Sequence, residues 1–228
     1  MKKIAALTVS AVLATSGAAF GQAFSHDFES AGGYTTSTTE FTDSFGDFWL
    51  RTNDSAGDVG TFVDYSSGST GWYFAGMDID GEGATLPVTI TFDAFSIAGL
   101  TDLSFGVDLA EDQDGTNEDY DLLNDAVNFE YNIDGFGWNN IFSVTGDGVT
   151  EFNSEPRVNG VAVTDTWSNF SQALAGVTGS SMQLRVVWNL NSGDEDLAID
   201  NLTVNGVPTP GAIALMGLAG LTGLRRRR

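Results

Sequence analysis

Carboxylates crowd into three short stretches of this 228-residue chain, and they are the side chains with the most evident chemistry. Closely packed carboxylates repel one another unless a cation neutralises them, and Ca²⁺ accepts about six to eight oxygen ligands from irregular loops. The densest stretch, DLAEDQDGTNEDYD, spans residues 108–121, and the other two are DIDGEG (78–83) and SGDEDLAID (192–200). We therefore predict a structural calcium site in this stretch, with a weaker second site at Asp200. The expected ligands in the stretch are Asp112, Asp114, Asp119 and Asp121.

A solvated acidic surface is the alternative interpretation of these clusters. All 31 acidic residues lie between Asp27 and Asp200, and only three arginines lie among them, which gives that part of the chain a formal charge of −28. Such a charge keeps a protein soluble without any bound ion. It also excludes nucleic acid and anionic lipid as partners of the folded part, because their phosphates would find no basic surface.

Catalytic side chains are scarce. His26 is the single histidine and cysteine is absent, which excludes a histidine-dependent triad, a multi-histidine zinc site and thiol chemistry. A glycoside hydrolase needs only two carboxylates at a suitable separation, so a secreted glycan-active enzyme, hydrolase or lyase, stays open as an alternative. With 31 acids a chance pair means little, and we predict a non-enzymatic protein with no catalytic residue and no organic cofactor.

The elements that must position these residues are β-strands. In LPVTITFDAF (86–95), apolar and polar residues alternate with period two, which is typical of half-buried antiparallel strands. Asp134–Gly135, between two such runs, predicts a hairpin turn. The alternation slips by one residue at Asp200–Asn201, which predicts a β-bulge. No stretch between residues 22 and 206 has a helical period, so we predict a single all-β domain there, an antiparallel β-sandwich.

The last strands carry a family resemblance. The features are Trp167, Leu174, Leu184, Arg185 and the strand AIDNLTV (198–204). They resemble the final strands of extracellular jelly-roll modules of the MAM and carbohydrate-binding type. The resemblance implies a jelly-roll sandwich that binds polysaccharide or a surface partner, frequently with structural calcium. Aromatic residues could stack on sugars, although a sandwich core uses the same residue types. The candidates are Trp72, Tyr73 and Trp138.

The N-terminus indicates export. It begins with Lys2 and Lys3, continues with an apolar run from residue 4 to about residue 13, and reaches small residues at Ala18, Ala19 and Gly21. This order is typical of a secretory signal peptide. We predict a signal peptide over residues 1–21, with cleavage after Gly21 or Ala23.

The C-terminal segment, VPTPGAIALMGLAGLTGLRRRR (207–228), has three parts: prolines, a short apolar run and four arginines. At about 1.5 Å per residue the apolar run of 14 residues would span about 21 Å as a helix, less than the hydrocarbon core of about 30 Å. The arginines would hold its end at the cytoplasmic face. These features predict a transmembrane helix that inserts transiently and serves as a processing handle. A permanent membrane anchor is the alternative.

This tail resembles the PEP-CTERM sorting signal of Gram-negative bacteria, with Thr209 at the position where that family usually has glutamate. The resemblance implies that an exosortase, a membrane transpeptidase, releases the protein or re-anchors it at the cell surface, often in species that produce exopolysaccharide. The residues that match the signal are Pro208, Pro210, Gly211, Arg225, Arg226, Arg227 and Arg228.

Overall fold

The structure is a computed structural model that describes residues 21–60, 63, 65, 71–112, 119–120, 125–149 and 154–209. The regular structure in these ranges is entirely β, as predicted, and none of it is helical. No helix in the described part of the chain is long and apolar enough to cross a membrane. The strands are β1 (Gly21–His26), β2 (Tyr34–Thr36), β3 (Phe41–Thr42), β4 (Phe48–Thr52), β5 (Tyr73–Met77), β6 (Val88–Phe92), β7 (Phe95–Ser96), β8 (Leu100–Ala110), β9 (Ala126–Ile133), β10 (Trp138–Thr145), β11 (Arg157–Val158), β12 (Val161–Ala162), β13 (Ser168–Leu174), β14 (Ser181–Asn189) and β15 (Asp196–Pro208).

The strands form two antiparallel sheets. The first sheet has the order β13-β8-β15-β5-β4-β3, and β1 pairs with the later half of β15. The second sheet has the order β12-β11-β10-β9-β14-β6-β2, and β7 pairs with the start of β14. The predicted antiparallel β-sandwich is therefore confirmed.

The main core lies between the sheets and follows the alternation seen in the sequence. Along β14, Met182, Leu184, Val186 and Trp188 are buried while the residues between them are partly exposed. The inward side chains of β6 and β8 join the same apolar cluster. Because successive side chains of a strand point to opposite faces, each strand also presents a second set of residues to the outside.

The outer face of the first sheet is partly closed by a second apolar cluster. Outward residues of β4 and β5, including Tyr73, pack against Val59, Val63, Tyr65 and Trp167. Tyr73 is 7% exposed, so it is a core residue and not a sugar platform. The outer face of the second sheet has no comparable apolar cover among the described residues.

Two local predictions are confirmed. The register of β15 against β8 shifts between Asp200 and Thr203, and Asn201 has a φ of 51°, so the bulge lies where the alternation slips. Asp134 (φ 51°) and Gly135 (φ 81°) form the turn between β9 and β10. Positive φ at both central residues is what a type I′ hairpin turn requires.

The ends of the domain differ slightly from the predicted boundaries of 22 and 206. β1 begins at Gly21, and β15 continues to Pro208, which lies opposite Leu100. A proline can end a ladder because its missing N–H is not needed beyond the last pair. The predicted signal peptide, apart from Gly21, and the predicted sorting segment from residue 210 onward lie outside the described residues.

Candidate functional site

A row of polar side chains crosses the outer face of the second sheet. Its members are register partners on five adjacent strands, β2, β6, β14, β9 and β10. In that order they are Thr35, Thr91, Arg185, Glu130 and Asn140. On β6 and β14 these residues alternate with buried core residues, and on β9 Glu130 follows buried Phe129, so they lie on the solvent face. Thr35 and Asn140 join that face as their exposed register partners. The row gives the sandwich a polar surface four inter-strand spacings wide, about 19 Å.

Two flanking rows continue this surface. Each flanking row consists of register partners on β14, β9 and β10. One row contains Gln183, Asn132 and Trp138, and the other contains Val187, Asn128 and Ser143. The Gln183 amide donates to the Phe92 carbonyl at 3.0 Å, and the Ser143 hydroxyl donates to Asn128 at 2.6 Å. These bonds orient the amides and hydroxyls while leaving further donors and acceptors for a ligand.

Trp138 and Arg185 form the centre of this face. The guanidinium carbon of Arg185 lies 4.4 Å from the centroid of the Trp138 ring, and its Nε donates to Glu130 Oε2. The Arg185 and Glu130 side chains are 28% and 20% exposed, so the pair is half-buried. A cation–π contact of this kind stabilises by about 0.5–2 kcal/mol and fixes both side chains. The outcome is a rigid aromatic and guanidinium platform whose charge Glu130 neutralises.

The face is nearly free of charge in a very acidic protein. Within the described strands of the second sheet, Glu130 is the only acid, and Arg157 and Arg185 are the only bases. An open depression of about 750 Å³ adjoins the face beside β2. It is lined by Thr36, Ser37, Thr38, Thr39 and Glu40. Hydroxyl, amide and aromatic groups without net charge suit an uncharged polar ligand.

Asp200 and Asp108 meet where β15 bulges, and the charges of Asp27 and Glu29 also act on Asp200. Asp200 is 6% exposed and lies opposite Asp108 in the ladder. Burial raises the pKa of Asp200 to about 7, the Asn201 backbone N–H lowers it in part, and the charges of Asp108, Asp27 and Glu29 raise it further. The Asn201 amide donates to both Asp108 (2.9 Å) and Asp200 (3.3 Å). A cation bound here would relieve the repulsion that these groups impose on one another.

The segment that carries Asp27 and Glu29 is held by two other side chains. Arg51 stacks on Trp72 at 3.8 Å and donates to the carbonyls of Phe28 and Glu29. His26 ends β1, where its Nδ1 accepts from the Phe28 N–H (3.2 Å) and its Nε2 faces the Gly32 carbonyl (2.9 Å). These partners assign the proton to Nε2, a neutral tautomer with a structural role.

The ligands predicted in residues 108–121 fall partly outside the structure. Asp112 and Asp119 are described, whereas Asp114 and Asp121 lie outside the described residues. The Asp112 N–H donates to the Asp196 carboxylate at 3.0 Å, and the Asp119 N–H donates to the Asp194 carbonyl at 3.0 Å. The loop after β8 therefore meets the start of β15, and Asp112 and Asp119 belong to a different cluster from Asp200.

The same end of the sandwich buries carboxylates that the sequence did not single out as ligands. Asp125 and Glu195 are 3% and 2% exposed, and both contact Asn191 through hydrogen bonds of 2.9 and 2.7 Å. Burial, with the charges of Asp125 and Asp119, raises the pKa of Glu195 well above its ordinary value. Asp27, Glu29 and Asp125 were missed because their partners lie far away in sequence, and no local spacing marks them.

A third acidic group forms between two loops of the first sheet. Ligand-capable oxygens of Asp43, Asp47 and Glu82 lie within 4.8 Å of one another, and all three residues are partly or fully exposed. Beside them, burial raises the pKa of Asp78 to about 6, with further contributions from Asp47 and Asp80. These residues come from the predicted DIDGEG cluster (78–83) and from the turn before β4.

Asp78→Asn is expected to stabilise the chelated domain at pH 8 and to have almost no effect at pH 4. A carboxyl whose pKa is raised on folding loses stability as the pH rises from its unfolded value near 4 to its folded value near 6. Because Asp78 is largely solvent-screened, the gain should be below about 1 kcal/mol, or about 2–4 °C in the melting temperature. Thermal melts in EDTA at both pH values measure it. Asp93→Asn, at an exposed position, is the control, and an equal Asp78→Asn effect at both pH values would contradict the expectation.

Comparisons with known proteins give only distant structural likenesses. No family model matches the chain, and no curated protein matches it significantly. The K3 adhesin domain of Lys-gingipain from Porphyromonas gingivalis W83 is similar at a TM-score of 0.44 and 14% identity, over 82% of this chain and 99% of that one. The mannan-recognising carbohydrate-binding module TmCBM27 is similar at a TM-score of 0.37 and 14% identity, over 83% of this chain and 99% of that one. The xylan-binding domain from CBM 22 is similar at a TM-score of 0.42 and 8% identity, over 82% of this chain and 96% of that one.

Proposed function

We propose that this chain is an exported, non-enzymatic cell-surface or matrix protein that binds a neutral polysaccharide through the outer face of its second sheet. The observation that carries the proposal is the polar face around the Trp138–Arg185 platform, where hydroxyl and amide groups surround one acid and one base that pair with each other. The face itself supports this function, independently of the distant structural likenesses. In this proposal the sandwich is a jelly-roll binding module.

The chemistry of the face matches that of a sugar chain. A neutral glycan offers many hydroxyls, which pair with amides and hydroxyls that both donate and accept. It also offers apolar C–H faces that stack on aromatic rings. A polyanionic glycan would meet the field of a domain with a formal charge of −28, and the one arginine at the centre is already paired with Glu130. Uncharged polysaccharides are therefore the expected ligands.

A glycan-active enzyme is the second candidate. Glycoside hydrolysis uses two carboxyl groups about 5–9.5 Å apart on either side of the scissile bond. On the described strands of the second sheet Glu130 is the only carboxylate, and its partner is Arg185. This arrangement favours binding over catalysis on that face.

A polysaccharide panel separates the two candidates. The domain is passed over insoluble and soluble glucans, mannans, xylans and galactans, with alginate and pectate as polyanions, and both retention and new reducing ends are measured. Retention on at least one neutral polysaccharide without new reducing ends is expected. Release of reducing ends would support the enzyme, and retention only on the polyanions would contradict the proposed ligand class.

We also propose that Ca²⁺ is a structural ligand of the domain. The Asp200–Asp108 pair, with the charges of Asp27 and Glu29 acting on it, supports one site. The predicted loop ligands Asp112, Asp114, Asp119 and Asp121 support the other. At the first place Asp200 lies opposite Asp108 from a distant part of the chain, and at the second the Asp112 N–H donates to the Asp196 carboxylate. A bound ion would offset the cost of folding such an acidic chain.

The tail is proposed as a sorting signal that an exosortase-like enzyme processes after transient membrane insertion. Mature protein from a native Gram-negative host is then expected to lack Arg225–Arg228. Intact-mass spectrometry of the surface and secreted fractions measures this, with the protein produced in a host without such an enzyme as the control. Intact tails on most molecules in the native host would instead support a plain membrane anchor.

A further inference from the structure

Strand β13 (Ser168–Leu174) forms one edge of the first sheet. It pairs with β8 over seven consecutive residues without a register shift, from Ser168 opposite Leu109 to Leu174 opposite Leu103. No described strand pairs with its other side. The residues that point outward, Asn169, Ser171 and Ala173, are exposed. The strand therefore presents a long, regular row of backbone donors and acceptors along its free side.

The other edge strands are less suited to pairing with a strand of another chain. β3 and β12 have two residues each and β2 has three. β1 has six residues, but its register shifts between Gln22 and Phe24. Natural sheets protect their edges by short length, charge, proline or bulges. β13 has the sequence SNFSQAL and uses none of these devices.

Charge singles out the same strand. No acidic residue occurs between Asp165 and Asp194 in a chain with 31 acids. The nearest carboxylate in the ladder, Asp108, lies one strand inward and accepts from the Asn169 amide (2.8 Å) and the Asn201 amide (2.9 Å). Two copies that repel one another over most of their surface can approach along this edge without placing like charges face to face.

We propose that β13 pairs with β13 of a second copy, antiparallel, about a two-fold axis through Ser171. In this register Ser168 faces Leu174 of the second copy and Ser171 faces its own counterpart. The small outward side chains allow the two edges to meet, and the first sheets join into one continuous sheet across the dimer. We assign the partner as a second copy because an uncharged strand can pair antiparallel with an identical strand. The two subunits then use the same surface, so the contact forms a closed two-fold dimer.

The salt dependence of such a dimer is distinctive. Each copy carries a formal charge of −28 between Asp27 and Asp200, so NaCl should screen the repulsion and strengthen the association. Added NaCl would instead weaken a dimer whose interface is built on ion pairs, because salt screens their attraction. This property does not depend on glycan binding, which uses the other sheet.

Sedimentation velocity of the purified full-length chain in chelator, at 50 and 500 mM NaCl, tests the proposal with charge-swapped variants. Ser171→Lys and Ser171→Glu alone are each expected to weaken the dimer at least about tenfold, because like charges then face one another. An equimolar mixture of the two is expected to restore a heterodimer. Thr85→Lys, at an exposed loop position away from β13 and from the second-sheet face, should behave as wild type. A wild-type chain that is monomeric at both salt concentrations, or a mixture that is no more dimeric than the single variants, would overturn the proposal.

Discussion

Millimolar Ca²⁺ is expected to raise the melting temperature of the domain, residues 21–208, by about 5–10 °C over the chelated domain, whereas NaCl of matched ionic strength raises it far less. An ion that binds only the folded state stabilises by about 2.7 kcal/mol at one hundred times its dissociation constant. In a domain of this size that corresponds to roughly this shift in melting temperature. Simple screening does not distinguish the two salts, so the difference between them measures specific binding.

Two variants assign the calcium effect to its sites. Asp200→Asn removes a carboxylate that is 6% exposed and lies opposite Asp108, and whose pKa the charges of Asp27 and Glu29 also raise. It should therefore raise the melting temperature in EDTA by about 2–4 °C, equivalent to about 1 kcal/mol, and lose part of the calcium increment. Asp112→Asn combined with Asp114→Asn should remove the part due to the loop after β8. Equal shifts in Ca²⁺ and NaCl, or a full calcium increment in both variants, would leave only a solvated acidic surface.

Trp138→Ala is expected to weaken retention on the neutral polysaccharide by at least about tenfold, because it removes the stacking surface and the support of the Arg185 side chain. Affinity electrophoresis with increasing polysaccharide in the gel measures the change. The effect should be larger than that of Gln183→Ala or Asn128→Ala, each of which removes one hydrogen-bonding side chain from a flanking row.

The chain contains a matched control for this variant. Trp72 also lies under an arginine, Arg51, at 3.8 Å, but it belongs to the first-sheet side of the molecule. Trp72→Ala should therefore keep wild-type retention even if it lowers the melting temperature. Equal losses of polysaccharide retention in Trp138→Ala and Trp72→Ala, or wild-type retention in Trp138→Ala, would exclude the second-sheet face as the binding site.

The features that were predictable from sequence are local ones. The alternation in LPVTITFDAF produces β6, the slip at Asp200–Asn201 produces the bulge, and Asp134–Gly135 produces the hairpin turn. Each depends on residues a few positions apart, where pleat and turn geometry act directly on side-chain pattern.

The candidate binding face and the acidic group at Asp200 are assembled from distant strands, and no local sequence pattern predicts which strands pair or in which register. The charge of Asp27 acts on Asp200 because β1 pairs with β15. Thr35 joins the row of Arg185 only because β6 lies between β2 and β14. The same limit applies to the aromatic residues. Tyr73 is buried by Tyr65 and Trp167, which cover β5 from elsewhere in the chain, whereas the second sheet has no such cover among the described residues and leaves Trp138 half-exposed.

The location of the ligand on the outer face of the second sheet is tested most directly by the five tryptophan indole N–H signals in an NMR titration with a neutral oligosaccharide that the panel selects. Trp49 and Trp188 are fully buried, and Trp167 packs on the first sheet, so these signals should stay in place. The Trp138 signal should shift and saturate together with the backbone amides of Arg185 and Asn132. Saturable shifts at Trp72 or Trp167 with an unchanged Trp138 signal would contradict the proposed binding face.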